Sequence, residues 1–225
     1  MSSISSVAAL TELGRVRLSD NFFMRDMLYS EVGNFHRVQN IPEEPALAIE
    51  AGRNLCRLVL EPLRAALGQV CVRSAYRSPT LNAFCHERYK AGDTASWCVD
   101  NDSNYAQHIW DRRDAAGFLG ATATVVIPSY LDHYQKTADW RPLGWWIVDH
   151  LEHYAQVFFF PKLCAFNIRW YEGPSDRAII YLDPPERELL TKSGERGFVG
   201  KHEPAYAGIL PIAAVDRARS FQSQP

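Results

Sequence analysis

Three side chains in the stretch SNYAQHIWDRRDAAG, residues 103–117, are candidate metal ligands: His108, Asp111 and Asp114. Imidazole nitrogens and carboxylate oxygens are common zinc ligands in proteins. In a strand, His108 and Asp114 would share a face, whereas in a helix His108 and Asp111 would be neighbours at i and i+3. The alternative is a histidine that hydrogen-bonds one of these carboxylates without any metal.

A second zinc set, formed by Cys85, His86, Cys98 and His108, is disfavoured by its spacing. Compact zinc modules usually pair closely spaced cysteines, and this sequence does not. The five cysteines are an odd number at irregular intervals, so reduced thiols are expected rather than a disulfide framework.

The composition excludes several function classes. The chain has 225 residues, of which 47% are hydrophobic and 22% charged, with a net charge of −2. Such a balance gives no general attraction to nucleic acid or to an anionic membrane surface. The first residues carry no basic region followed by an apolar stretch, so no secretory signal is expected. These observations predict a cytoplasmic protein with neither nucleic-acid nor membrane partners.

Helical signals dominate the first part of the chain. Ser19 or Asp20 is a candidate N-cap for a short helix in LSDNFFMRDMLYS. A longer helix is predicted in NIPEEPALAIEAGRNLCRLVLEPLRAALG, kinked or interrupted at Pro62. Ser78 and Pro79 suit the start of another helix. Residues 88–104 are polar and predict a long surface loop.

Strand signals dominate the later part. Strands are predicted in QVCVRSAYRS, in GATATVVIPSY and at Val157–Phe160, and AFNIRWYEGPSDRAIIYLD is predicted to form a hairpin around residues 173–176. The expected fold is therefore α+β, with N-terminal helices packed on a small antiparallel sheet. Residues 1–17 are expected to be a leader, residues 18–183 the domain, with an inserted loop at about 85–104, and residues 184–225 a polar extension with a disordered end.

The motif VRSAYRSPTLN, residues 72–82, supports a resemblance to a known family. Together with LSDNFFMRDML, NIP and EPLRAALG upstream, it resembles the zinc D-alanyl-D-alanine carboxypeptidases of phage and bacterial peptidoglycan metabolism. The resemblance covers roughly residues 18–172 and implies the zinc-peptidase fold that this family shares with the Hedgehog signalling domain. It also implies a zinc held by a histidine, an aspartate and a second histidine, a glutamate base, and an arginine that binds the substrate.

The resemblance assigns only some of these roles to matching residues. Arg77 stands at the arginine position, and His108 at the first zinc histidine, after an insertion. The aspartate position falls on Ala115, with Asp114 and Asp111 close by in sequence. If the intervening loop is longer, GATAT instead places Thr124 there.

The later motifs depart further from the family. Phe160 falls at the glutamate base and Asn167 at the second zinc histidine. Phenylalanine is not a base, and the neutral amide oxygen of asparagine is a poor zinc ligand. His150, Glu152 and His153 in DHLEHY are candidate replacements for the missing ligand and base. On a helix the two histidines would share a face and Glu152 would point elsewhere, and the alternative is a solvated helix face.

The resemblance thus predicts Arg77 and Glu152 as catalytic residues, and Arg77, Tyr76, Asn82 and Asn167 as substrate-binding residues. The alternative for Tyr76 and Asn82 is a scaffold role. Because two expected functional residues are missing together, the favoured function is a non-catalytic protein that binds a peptide, a cell-wall fragment or a protein partner. The alternative is a zinc-dependent peptidase or amidohydrolase acting on D-alanyl peptides with the ligands His108, Asp111, Asp114, His150 and His153.

Overall fold

A mixed β-sheet organises the computed structural model, which describes residues 4–211. Within these residues the sheet has six strands in the order β1-β2-β4-β3-β5-β6. The strands are β1 (Cys71–Ser74), β2 (Gly120–Val126), β3 (Gln156–Phe159), β4 (Phe166–Tyr171), β5 (Ala178–Asp183) and β6 (Glu186–Thr191). All neighbouring strands are antiparallel except β3 and β5, which are parallel. The predicted α+β class is therefore confirmed, but the sheet is mixed.

The helices come mainly before and between the strands. They are α1 (Val7–Arg15), α2 (Met24–Met27), α3 (Glu31–His36), α4 (Pro45–Leu55), α5 (Glu61–Leu67), α6 (Pro79–Lys90), α7 (Asn101–Asn104), α8 (Pro128–Thr137), α9 (Arg141–His150) and α10 (Glu203–Tyr206). A π-helical turn, Cys56–Leu60, joins α4 to α5 just before Pro62. Proline has no N–H to donate to the preceding turn, so the predicted interruption takes the form of a widened turn.

Two local helix predictions need correction. The short helix predicted to be capped by Ser19 or Asp20 begins at Met24, where the Asp26 carboxylate accepts from the Phe23 N–H. The Ser19 hydroxyl donates to Glu61 instead. The predicted surface loop 88–104 contains the end of α6, a 3₁₀ turn at Thr94–Ser96 and α7.

The predicted hairpin in residues 166–183 is wrong. Strands β4 and β5 are not paired with each other, because β3 lies between them and bonds to both. Residues 172–177 therefore cross the end of β3 rather than form a tight turn. The chain then turns at Pro184 and Pro185, and β5 pairs with β6.

One face of the sheet is packed with apolar side chains. Helix α4 packs against β2 and β4. Alternate residues of the strands are buried there, including Ala121, Ala123, Val157, Phe159, Phe166 and Ile168. Because side chains alternate along a strand, the other face carries the intervening residues. That second face holds the cavity described below.

Both terminal segments contribute to the structure. Leu13 of α1 belongs to the main core, and α10 packs against α9. Strand β6 and α10 lie within the segment predicted as a polar extension. Its predicted disordered end, VDRARSFQSQP at residues 215–225, lies outside the described residues. Among the helices of residues 4–211, none combines the length and apolar character that a membrane span requires.

Candidate functional site

A cavity of about 430 Å³ lies over the second face of the sheet. This volume is within the range of small-ligand pockets, roughly 300–1,000 Å³. Its floor is formed by alternate strand residues, namely Ser74, Thr122, Thr124, Gln156, Phe158, Asn167, Arg169 and Leu182. Its walls come from residues 97–108, together with Arg77 and Phe160.

His108 lies on the cavity wall with its ring held in one orientation. Its Nδ1–H donates to the Ala75 carbonyl at 2.8 Å, and its backbone carbonyl accepts from the Arg77 N–H at 2.8 Å. Burial, and next the positive charge of Arg77, lower the pKa of His108 to about 4. The imidazole is therefore neutral at pH 7, and its Nε2 carries the lone pair.

Protonation of His108 should destabilise the fold in weak acid. An unfolded chain protonates this histidine near its ordinary pKa of about 6.5, whereas the folded chain resists until about pH 4. The stability contribution is complete above pH 6.5 and is lost as the pH falls toward 4. Between pH 7.5 and pH 5 this group should lower the free energy of unfolding by about 2 kcal/mol.

Urea unfolding of the wild type and of His108→Gln at both pH values measures this contribution. The variant should lose less stability on acidification than the wild type, by that amount. The exposed His153, changed to glutamine, is the matched control and should behave as the wild type. An identical pH dependence in His108→Gln and the wild type would contradict the assignment.

Arg77 supplies positive charge at the cavity wall. Its Nη1 donates to Asn82 Oδ1 at 3.3 Å, and the guanidinium is half-buried. Among the described residues no aspartate or glutamate lines this cavity. An anionic ligand in the cavity could therefore accept hydrogen bonds from Arg77 without competition from a carboxylate of the cavity lining.

Arg169 is a second cation that the sequence analysis missed. It follows Asn167 by two positions on β4, so the two side chains share the cavity face. Its Nε donates to the Ala106 carbonyl at 3.0 Å, and its guanidinium lies 4.1 Å from the centre of the Tyr171 ring. The alternation of side chains along β4 could have identified Arg169, because it places Arg169 on the same face as Asn167.

Thr124 and Asn167 face each other across β2 and β4. The Thr124 hydroxyl donates to Asn167 Oδ1 at 2.6 Å. Phe160 lines the same cavity just beyond the end of β3. The structure thus brings together Arg77, His108, Phe160, Asn167 and Thr124, the position that the longer-loop alternative assigns to the aspartate. Ala115, the first assignment of that position, does not line the cavity.

The side chains of this cavity do not fit a catalytic zinc. Within residues 4–211, no group of three or more histidine, cysteine, aspartate or glutamate side chains is arranged to hold a metal ion. His108 contributes one imidazole, while Thr124 and Asn167 bond to each other. A catalytic zinc usually needs three strong protein ligands.

The two aspartates that follow His108 have structural partners and do not line its cavity. Asp111 is buried, and its Oδ2 accepts from the backbone N–H groups of Glu43 and Glu44 at the start of α4, at 2.8 and 3.2 Å. Asp114 Oδ1 accepts from two amides of its own turn, and Oδ2 accepts from the Tyr171 hydroxyl. The sequence is neither strand nor helix here, so the periodicity that would have aligned either carboxylate with His108 does not apply.

The DHLEHY residues lie around a different cavity. Helix α9 ends at His150, and the exposed Glu152 and His153 follow it, so the predicted shared helix face does not exist. His150 Nε2 lies 3.1 Å from the Tyr206 hydroxyl. All three line a second cavity of about 680 Å³, which shares no lining residue with the first. The structure therefore does not bring these residues to His108 as replacement ligands or base.

Tyr76 and Asn82 support the cavity without lining it. The Tyr76 ring is buried and packs edge-on against Trp110, with 6.0 Å between ring centres. Burial, and next the Asp111 carboxylate, raise the pKa of Tyr76 far above its ordinary value. Asn82 is completely buried and is fully hydrogen-bonded to protein groups. Their positions favour the scaffold alternative over the predicted substrate-binding role, which stays a prediction.

The proposed Cys85, His86, Cys98 and His108 zinc set is also not assembled. His86 Nδ1 lies 3.1 Å from the Cys98 carbonyl oxygen, while His108 bonds to Ala75. Within residues 4–211, these side chains are not part of any group of three or more potential ligands that could hold a metal ion.

Comparison with family models, with curated proteins and with solved structures finds no match for this chain.

Proposed function

We propose that this chain is a non-catalytic binding protein that resembles the D-alanyl-D-alanine carboxypeptidases and takes a peptide with a free C-terminal carboxylate. A D-alanyl peptide of the peptidoglycan type is the expected ligand. The main evidence for this proposal is the positive charge of the cavity lining. Two guanidinium groups, Arg77 and Arg169, line it, and no described carboxylate does.

The shape and the apolar lining of the cavity also favour a peptide. Trp97, Phe158, Phe160 and Leu182 provide apolar surface beside the two cations. Small-ligand sites commonly combine apolar walls with a few polar groups that fix orientation. Arginine's planar fork matches a carboxylate with two parallel hydrogen bonds.

Catalysis is disfavoured by the groups at the chemically important positions. Phe160 cannot accept a proton from water, and the Asn167 amide oxygen is engaged by Thr124. The cavity can therefore hold a carboxylate without a group that activates water for attack on the peptide bond.

A metal-dependent peptidase with an unusual ligand set is the second candidate function. One observation favours it: the Ala75 carbonyl fixes His108 as the Nδ1–H tautomer. Carbonyl contacts of this kind orient metal-ligating histidines in other proteins. Release of D-alanine from a D-alanyl peptide, with one zinc per chain, would support this candidate over the binding protein.

The test is calorimetric titration of the full chain with an N-acetylated L-Lys-D-Ala-D-Ala peptide. The free acid should bind, and the same peptide with a C-terminal amide should bind at least tenfold more weakly. Arg77→Ala should cause a similar loss, because a hydrogen bond to a charged group contributes about 1.5–3 kcal/mol, or roughly tenfold to a hundredfold in affinity.

Arg73→Ala is the matched control, because Arg73 is exposed on β1 and does not line the cavity. It should bind the peptide as the wild type does. Equal affinity for acid and amide, or equal losses in the two arginine variants, would contradict carboxylate recognition by Arg77.

A further inference from the structure

Two thiols meet behind the cavity wall. Cys85 lies on α6, and Cys98 follows the 3₁₀ turn at Thr94–Ser96. Together with Leu81 they form a small apolar cluster separate from the main core. Cys98 also lines the cavity, and its Sγ lies 3.5 Å from the Asn82 carbonyl oxygen.

The surroundings of this pair favour one thiolate. The neighbouring Cys98 thiol lowers the pKa of Cys85 to about 7, against the effect of burial. The positive charges of Arg77 and Arg88 also lower it, and the Asp93 carboxylate opposes them. The neighbouring Cys85 thiol, and next burial, raise the pKa of Cys98. One thiol of the pair is thus prepared to ionise while the other keeps its proton.

The buried thiols elsewhere differ from this pair. Burial raises the pKa of Cys164 to about 12 and that of Cys56 further still. Because the thiolate is the reactive form of cysteine, these two should resist oxidation. Cys71 is half-buried on β1 and belongs to neither apolar cluster.

Only a small oxidant would reach the pair. Cys85 and Cys98 are 3% and 6% exposed, so access runs through the cavity that Cys98 lines. Hydrogen peroxide is close to water in size and oxidises thiolates to sulfenic acids. An S–S bond is about 2 Å long, and the two thiols belong to the same buried cluster, where they can approach each other to form one.

We propose that Cys85 and Cys98 form a peroxide-reactive dithiol site, whose oxidation to a disulfide ties the cavity wall at residues 97–99 to α6. The Cys85 thiolate attacks one peroxide oxygen, the O–O bond breaks, and hydroxide leaves. Cys85 becomes a sulfenic acid, and the hydroxide takes up a proton to give water. Cys98 then attacks the Cys85 sulfur, loses its proton and displaces a second water. Two thiols lose two electrons in total, and one peroxide is reduced to two waters.

The disulfide would affect the part of the cavity wall that lies beside Arg77. Residues 97–99 carry Trp97 and Val99 into the cavity lining, and α6 carries Asn82, which accepts a hydrogen bond from Arg77. A disulfide would restrict the motion of this segment relative to α6. Backbone amide exchange in residues 91–99 should therefore slow after oxidation, whether or not any ligand binds in the cavity.

The experiment treats the reduced full chain with a small excess of hydrogen peroxide, blocks free thiols with N-ethylmaleimide and maps the peptides by mass spectrometry. The expected product is a Cys85–Cys98 linked peptide, two hydrogens lighter than the two free peptides together. Cys56 and Cys164 should react with the blocking reagent only after denaturation. The rate of linkage should rise as the pH rises through about 7.

Cys85→Ser and Cys98→Ser should each abolish the linkage, while Cys71→Ser, the control, should form it at the wild-type rate. Since the wild-type peptide map needs no substitution, the result does not depend on the variants folding. Absence of the linked peptide while Cys71 is oxidised would overturn the proposal. Linkage without slower amide exchange in residues 91–99 would overturn the proposed tie on the wall.

Discussion

Replacing Asn82 by alanine is expected to lower the free energy of unfolding by about 3–4 kcal/mol, because it removes four hydrogen bonds made by a completely buried side chain. Asn82 Oδ1 accepts from Asn104 at 2.6 Å and from Arg77 at 3.3 Å. Its Nδ2 donates to the Val99 carbonyl at 3.0 Å and to Asn101 Oδ1 at 2.9 Å. This one amide thus uses its whole hydrogen-bonding capacity to join α6 to Arg77 and to residues 99–104.

The same substitution should weaken ligand binding although Asn82 does not line the cavity, because Asn82 holds Arg77 and Asn104 in place. Asn104 links Asn82 to the His108 loop, since its Nδ2 donates to Asn82 and its Oδ1 accepts from the His108 backbone N–H at 3.2 Å. Without Asn82, the Arg77 guanidinium and the His108 loop lose their common support. The loss of affinity in Asn82→Ala should therefore accompany a loss of stability, whereas Arg77→Ala should lose affinity with little change in stability.

Urea unfolding measures the first effect, with Asn34→Ala as the control. Asn34 is exposed on α3, and its replacement should change stability by no more than about 0.5 kcal/mol. The variant Asn82→Asp distinguishes the contribution of the amide oxygen from that of the amide NH₂ group. It keeps the acceptors for Arg77 and Asn104 but loses the donors to Val99 and Asn101, so it should also be destabilised. If Asn82→Ala were as stable as Asn34→Ala, the hydrogen-bond network would not be a structural support of the cavity.

Several parts of the candidate site could be predicted because they depend on local patterns. Ser78 accepts from the Leu81 N–H, and Pro79 opens α6, as the sequence indicated. Strand alternation in β2 and β4 places Thr124 and Asn167 on the same face of the sheet. Two motifs more than forty residues apart in sequence therefore meet in the cavity.

The parts that sequence reasoning missed depend on contacts between distant segments. Nothing local in residues 166–183 shows that β3 will insert between two strands that read as a hairpin. In the sequence Asp111 resembles a metal ligand. In the structure its carboxylate accepts from the N–H groups at the start of α4, which have no acceptor within the helix. Likewise, the helical pattern of DHLEHY continues past His150, while the chain leaves the helix there to enter β3.

The resemblance assigns zinc-ligand positions to residues that cannot bind zinc well, and this assignment can be tested by introducing zinc ligands there. The double substitution Thr124→Asp with Asn167→His should create a zinc site that uses these two residues and His108. The two positions face each other across adjacent strands, and their side-chain oxygens are already 2.6 Å apart. His108 lies on the same cavity with its Nε2 lone pair preserved at neutral pH. One aspartate and two histidines are a sufficient protein ligand set for a zinc that retains a water.

Elemental analysis and competition with a chromophoric chelator should show about one zinc per chain, with a dissociation constant below about 1 μM, corresponding to a gain of about 8 kcal/mol. Wild type should take up no stoichiometric zinc. His108→Ala in the double variant should abolish the gain, because two ligands remain. If the double variant folds, as judged by its circular dichroism and cooperative unfolding, yet binds no zinc, then Thr124 and Asn167 do not occupy metal-ligand positions and the resemblance to the carboxypeptidases fails in this half of the chain. If zinc binds and persists in His108→Ala, the created site uses other ligands, and His108 is not the counterpart of the first zinc histidine.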